Sequence, residues 1–180
     1  LPFPSTRVSI RDEEDVELGP GTPGELCVAG PQVMRGYWRR EAATRNALTG
    51  DGYLRTGDIA TIDARGYLRI VDRRKDVIIV SGFNVYPSEV ERVVRSLPGV
   101  AEAACIGVTD ERAGELVKLY VEPRAGATVT ESSLRQHCRQ ELTPYKVPRV
   151  IEVRDRLPRS AVGKVLKRDL RAETADGRQA

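Results

Sequence analysis

The 180 residues are 40% hydrophobic and 31% charged with a formal net charge of +3, which fits one ordinary domain or two small ones and excludes a disordered chain. No apolar run exceeds four residues, Val77 to Val80 being one, against the roughly 20 a bilayer-spanning helix needs. Cys27, Cys105 and Cys138 are odd in number, far apart and set in apolar patterns, so neither a disulfide framework nor a zinc site is expected and a reducing cytoplasm fits best.

In chain order, the first seventy residues read as short strands joined by glycine turns. "RVSI", "ELCVAG", "YLRT", "DIATI" and "YLRIV" are separated by "GPGTPG", "TGDG" and "DARG". The last of these predicts a hairpin over 58–71 with Gly66 in the left-handed region, and only 40–48 looks weakly helical. From Lys75 the pattern becomes an α+β alternation. "VIIV" predicts a buried strand, and Pro87 opens a helix whose Val90, Val93, Val94 and Leu97 recur at helical spacing. Strands at 101–108 and 115–122 follow, then a helix over 131–142 capped by Thr130, a strand at 149–153 and a short helix from about 164. "TADGRQA" reads as a frayed end.

Charge is uneven along this pattern. Residues 1–30 carry two Arg against six Asp/Glu, and residues 146–171 carry nine Lys/Arg against three Asp/Glu. The basic end suits a polyanionic partner or simply a solvated helix face. With no aromatic residue interleaved, nucleic acid is disfavoured. His137 lies between Leu134 and Cys138 on the apolar side of its helix, a core or boundary position. No signal-peptide pattern stands at the start, and the sequence begins at Leu1 without a methionine, which suggests a piece cut from a longer chain.

Four stretches carry chemistry. "YLRTGD" puts Asp58 behind a Thr-Gly turn; such a carboxylate either accepts hydrogen bonds from two vicinal hydroxyls or stabilises the turn. "VDRRKD" sets five consecutive charges between two apolar strands, either a ligand-contacting hinge or an ordinary polar turn. "VSGFNVYPSEVE" reads as a strand leaving through a Ser-Gly loop into a helix, where Gly82 either admits an extended ligand arm or serves the turn itself. "LPRSAVGKVLKRDL" contains a Gly-Lys pair, but Pro158 and Val165 occupy the positions where a phosphate-binding P-loop needs Gly and Ser/Thr.

Taken in order, "GELCVAGPQVMRGYW", "GYLRTGDIA", "GYLRIVDRRKDVIIVSGFNVYPSEVE", "GVAEAACIGV", "GELVKLYV", "LTPYKVPR" and "LPRSAVGKVLKRDLR" resemble the C-terminal part of the acyl-adenylate-forming enzymes, most closely bacterial long-chain fatty-acid–CoA ligases. The resemblance implies an α+β fold: a β-rich remnant of a large domain over 1–73 and a small mobile lid domain over 74–180. It implies that Asp58 and Arg73 face the ATP ribose, that Arg74 and Lys75 form the hinge, and that Ser81, Gly82 and Phe83 line the pantetheine tunnel of CoA. It makes Lys164 the lysine that enters the active site during adenylation, and assigns no residue here to a metal. Within the resemblance, Lys75, where many relatives carry aspartate, tilts the choice toward fatty-acyl ligases or luciferase-like members rather than short-chain acetyl-type enzymes.

The same resemblance implies an ATP-dependent acid–thiol ligase using Mg²⁺, ATP, CoA and a fatty acid through an absent N-terminal domain. The stretch alone would neither turn over nor hold a cofactor. Another acyl- or aryl-CoA ligase, or a non-catalytic CoA- or nucleotide-binding module, remains open. A cytoplasmic setting is expected, with peripheral contact at the inner membrane and a dimer through exposed apolar surface both left open.

Overall fold

In the computed structural model the described residues are 3–176. They separate into two compact units, Leu1–Lys75 and Asp76–Ala180.

Unit 1 is an antiparallel meander of β1 (Arg7–Arg11), β2 (Gly24–Ala29), β3 (Leu54–Ile62) and β4 (Leu68–Arg73), paired in that order. The 58–71 hairpin forms as expected, with Gly66 at φ 83 in its turn. A short helix α1 (Glu41–Ala47) buries none of its residues. Ile10, Leu26 and Ala60 form the buried core, with Val8, Leu18, Val28 and Ile62 packed against it. Charged side chains lie around this small core. Arg11 lies across the Tyr53 ring at 4.4 Å and makes a forked pair with Asp51 through its two terminal nitrogens, at 3.0 and 2.7 Å.

The expected break between "YLRT" and "DIATI" is absent, because β3 runs unbroken from Leu54 to Ile62. Thr56, Gly57 and Asp58 are instead a bulge within it: Glu25 pairs with Ile59 while Cys27 pairs with Arg55. The bulge survives because side chains take over lost ladder bonds. Thr56 Oγ1 donates to the Leu26 carbonyl at 2.8 Å and accepts from the Asp58 N–H at 3.1 Å. Gly57, at φ 73, takes the left-handed conformation the bulge needs.

Unit 2 is a mixed sheet of β5 (Ile78–Val80), β6 (Phe83–Val85), β7 (Val100–Asp110), β8 (Gly114–Pro123) and β9 (Val150–Val153), in the order β6-β5-β8-β7 with β9 parallel to β8. The helices are α2 (Pro87–Arg95), α3 (Glu131–Glu141) and α4 (Lys167–Asp176). Alternation in β7 and β8 feeds two cores. Ala103, Cys105, Val117, Leu119 and Val121 pack with Val90, Val94, Leu134 and Cys138 of α2 and α3. Ala104, Ile106 and Tyr120 pack on the other side with Leu157 and Leu170. Both faces are therefore covered, so these strands read as nearly continuous apolar runs.

Thr130 caps α3 as expected, accepting from the Ser133 N–H at 3.1 Å. The last helix starts at Lys167 rather than near 164, because residues 158–166 fold back on themselves, with Arg159 bridged to Val165 and Leu166 N–H bonded to the Pro158 carbonyl at 2.9 Å. The expected frayed end falls partly outside the described residues: 174–176 continue α4, and 177–180 are not described.

Candidate functional site

Asp58 is the last residue of the β3 bulge and stands opposite Arg73 at the end of β4. Arg73 Nε lies 2.8 Å from Asp58 Oδ1, with the carboxylate side chain 26% exposed and the guanidinium 59% exposed. A carboxylate and a guanidinium are thus offered side by side to solvent, one accepting and one donating, which is complementary to a polyhydroxyl carrying an anionic group. Beneath them is Glu25, which sequence reasoning missed. Its side chain is only 9% exposed; Oε1 accepts from the Gly57 N–H at 3.1 Å and Oε2 from Arg74 Nη1 at 2.7 Å. One buried carboxylate therefore ties the bulge to the start of "RRKD". The available signal was a lone Glu opening the apolar run "ELCVA". Lys75 is exposed and closes unit 1, in a 3-10 turn over Arg74–Asp76.

The "VSGFNV" stretch differs from the expected strand–loop–helix. Val80 pairs with Phe83, and Ser81 (φ 51) and Gly82 (φ 83) make a two-residue turn joining β5 to β6. Two left-handed residues in succession match the twist of a tight hairpin, and "FNV" is too short for its strand character to show in the sequence. A Cβ at Gly82 would meet nothing within 4 Å, so the glycine serves its own turn and leaves open space beside it. The Ser81 N–H is held by the Ala113 carbonyl at 2.7 Å. Phe83, exposed on the turn's far side, stacks on Tyr145 with ring centres 4.8 Å apart. Tyr145 is fixed in turn by its neighbour Lys146, whose Nζ lies 2.9 and 2.7 Å from the Glu89 oxygens. Behind the turn, Val80, Ser81, Leu116, Pro144, Tyr145 and Arg149 border a pocket of ≈ 270 Å³. Phe83 and Tyr145 are far apart in sequence, so the aromatic pair is illegible there.

Lys164 projects from the folded-back 158–166 segment and is exposed. Its backbone is bonded on both sides: Ser160 N–H donates to the Lys164 carbonyl at 2.8 Å, and Lys164 N–H donates to Ser160 Oγ at 3.2 Å. Gly163 (φ 80) closes the turn. The lysine is therefore an exposed cation on a constrained backbone, three residues ahead of the helix start.

Other nucleophile-type side chains are occupied by packing. Burial pushes the Cys138 thiol up to about 11 and raises Cys27 also. His137 Nε2 lies 2.9 Å from the Val93 carbonyl and 3.1 Å from Ser96 Oγ, tying α3 to the end of α2. Among the described residues no cluster of three or more His, Cys, Asp or Glu could hold a metal ion, and no helix is long and apolar enough to cross a membrane.

Comparison with known proteins decides the family. Residues 89–164 match the model of the AMP-binding enzyme C-terminal domain, and residues 1–38 match that of the AMP-binding enzyme. The chain belongs to the AMP-binding enzymes. It is 55% identical over 173 residues to a long-chain-fatty-acid–CoA ligase of Escherichia coli O157:H7, covering 96% of this chain and 30% of that protein. It is 57% identical over 175 residues to the enzyme of the same name from Yersinia pestis, with the same coverage of each. Among solved structures it resembles ATP-bound MatB from Rhodopseudomonas palustris with a TM-score of 0.89 and 39% identity, over 94% of this chain and 34% of that one. The amide bond synthetase McbA from Marinactinospora thermotolerans gives a TM-score of 0.85 at 40% identity, over 94% and 35% of the two chains. The chain spans about 30% of the length of the curated relatives it matches.

Proposed function

We propose that this chain supplies the C-terminal portion of a long-chain fatty-acid–CoA ligase. The fatty-acid carboxylate attacks the α-phosphorus of ATP, the bond to pyrophosphate breaks, and acyl-AMP forms. The CoA thiol then attacks the acyl carbon, loses its proton, and AMP departs. In this reading Asp58 accepts from the ribose hydroxyls, with Arg73 orienting its carboxylate and Glu25 holding the bulge that presents it. Lys164 stabilises charge accumulating on the α-phosphate during adenylation. Ser81, Gly82 and Phe83 border the pantetheine arm. Residues 1–73 are the tail of the large domain, and the mobile lid follows, with Arg74 and Lys75 as the hinge; that hinge coincides with the junction of the two compact units.

Mg²⁺ would enter with the ATP phosphates, where it would neutralise phosphate charge. The burial of Cys27, Cys105 and Cys138, far apart in sequence, supports a reducing, cytoplasmic setting. The observation that carries the reading is an exposed lysine on a doubly bonded turn, in a chain 55% identical to long-chain-fatty-acid–CoA ligases. A second reading, a ligase for a bulkier acid, is favoured by 44% identity to a substituted propanoyl:CoA ligase of Rhodococcus jostii.

The test is the full-length protein containing this chain, assayed over a panel of acids for acid-dependent ATP–pyrophosphate exchange and, separately, for thioester formation from synthetic acyl-AMP and CoA. Lys164→Ala is expected to lower exchange by about 10²–10³-fold while thioester formation from acyl-AMP persists. Equal exchange in wild type and variant refutes the role of Lys164, and turnover confined to non-fatty acids selects the second reading.

A further inference from the structure

Lys164 is only as useful as its backbone is fixed, and the fixing runs back to the sheet through two residues that no part of the proposed chemistry uses. Glu122, near the end of β8, directs Oε2 at the 158–166 segment, accepting from the Leu157 N–H at 2.9 Å and from Arg159 Nη2 at 3.0 Å. The other terminal nitrogen of the same guanidinium, Arg159 Nη1, donates to the Gly163 carbonyl at 3.3 Å. That carbonyl belongs to the peptide whose N–H is Lys164's own. The planar fork of Arg159 thus spans from a sheet carboxylate to the peptide bond that carries the lysine, a span an ammonium cannot reproduce.

The surroundings fit this role. Leu157, where the segment leaves the sheet, is buried beside Tyr120 and Leu170, so the Glu122–Leu157 bond anchors to a packed point. The Glu122 side chain is mostly covered, and its carboxyl lies below the ordinary value, chiefly because it accepts the Leu157 N–H, with Arg159 adding to the effect and burial opposing it. The charged form is therefore present at neutral pH. On the far side of the turn, Lys167 at the start of α4 lies 2.7 Å from Glu91 of α2, so the segment is held at both ends while Val162, Gly163 and Lys164 at its tip stay exposed.

We propose that Glu122 and Arg159 are positioning residues for Lys164: the Glu122–Arg159–Gly163 carbonyl relay sets the place from which the lysine ammonium reaches the reacting phosphate. This rests on the proposed function, in which Lys164 acts in adenylation. Neither residue touches substrate. Their removal leaves the ammonium in place but spreads its positions, which lowers the adenylation rate more than substrate affinity.

The experiment uses the full-length protein and the two half-reactions described above, with Lys164→Ala run alongside Arg159→Ala, Arg159→Lys, Glu122→Ala, Glu122→Gln and the Glu122→Ala/Arg159→Ala double variant. Arg159→Ala and Glu122→Ala are expected to lower kcat for acid-dependent pyrophosphate exchange by about tenfold or more, with KM for ATP shifted less than about twofold. Thioester formation from acyl-AMP should hold, with the melting temperature lowered by no more than a few degrees. Arg159→Lys should rescue little, Glu122→Gln should rescue in part because its amide oxygen still accepts from Leu157, and the double variant should be no worse than either single one. If Lys164→Ala abolishes exchange while the Arg159 and Glu122 variants match wild type, the relay is overturned. If both half-reactions fall together with the melting temperature, the two residues are merely structural and the proposal is equally overturned. If Lys164→Ala itself leaves exchange intact, the underlying functional reading fails, a result the other variants do not mimic.

Discussion

Among the described residues, unit 1 clusters three buried hydrophobic side chains against its four-stranded sheet, with Cys27, Ala29 and Ile59 buried outside the cluster, whereas unit 2 packs fifteen on one face of its sheet and six on the other. Charged side chains pack around the small core of unit 1, Arg11 with Asp51, and Glu25 with both Arg74 and the Gly57 N–H. It also leaves large apolar side chains in solvent, with Trp38 84% exposed and Ile70 50% exposed. Apolar burial is cumulative and tolerant of small errors, while buried ion pairs hold one geometry at little net gain in stability. The contrast suits the roles proposed for them. Unit 2 carries a lysine on a turn that needs a stiff base, and unit 1 presents a carboxylate on a bulge that needs a specific shape.

The largest expected effect follows from that inequality. Residues 76–180 produced alone should unfold in urea as a cooperative two-state unit, and residues 1–75 alone should show no cooperative transition, because so small a core cannot offset chain entropy. A cooperative melt for the isolated 1–75 stretch would overturn the view that its core is insufficient. Next come single core truncations. Leu134→Ala, removing a fully buried side chain between α3 and the sheet, should cost about 2–5 kcal/mol in denaturant melts of unit 2. Leu26→Ala, measured in the whole chain, should cost less, toward the low end of that range, because its site has fewer apolar neighbours to leave unfilled. Equal costs would mean that the charged scaffold of unit 1 packs as tightly as the core of unit 2.

A third, smaller effect isolates the polar scaffold. Glu25→Gln keeps an acceptor for the Gly57 N–H but strips Arg74 of its ion-pair partner, and should cost about 1–3 kcal/mol. Hydrogen exchange should report it locally, with faster exchange at Gly57 and no change at the Cys105 amide in unit 2. Uniform acceleration across both units would show that Glu25 acts globally rather than on the bulge.

How much of this was legible follows the same division. The helices α2 and α3 could be read from Pro87, Thr130 and the spacing of their apolar residues, because one stripe of a helix faces one core. The β3 bulge could not, since the bonds that stabilise it come from Thr56 and Glu25, a long way apart in sequence but adjacent across paired strands. The Ser81–Gly82 hairpin was hidden because three residues of strand give no periodicity. Asp58, Arg73 and Lys164 were legible only through motifs; the groups that fix them, Glu25, Glu122 and Arg159, carry no motif and emerge only from pairing and distance.

The smallest expected effect compares two carboxyls, one from each unit, whose responses to acid should differ in sign. Asp51 in unit 1 is held below its ordinary value of 3.8, first by the hydrogen bond from Arg11 and then by that from Thr49. A depressed carboxyl contributes stability that is present above its unfolded value and lost as pH falls toward the folded one. Its side chain is 56% exposed, so water and salt screen the contribution heavily. Glu91 in unit 2 goes the other way: burial raises it above 4.5, and the pull of Lys167 only partly offsets that. Its contribution is most favourable below the unfolded value and weakens as pH rises through the folded one. Melting temperatures of wild type against Asp51→Asn should therefore diverge as pH is raised from 3 to 5, with wild type gaining. Wild type against Glu91→Gln should show wild type losing ground as pH is raised from 4 upward. Two differences of the same slope would mean that Glu91 is ionised at low cost, and hence that the Lys167 pair, rather than burial, dominates at the base of the segment that carries Lys164.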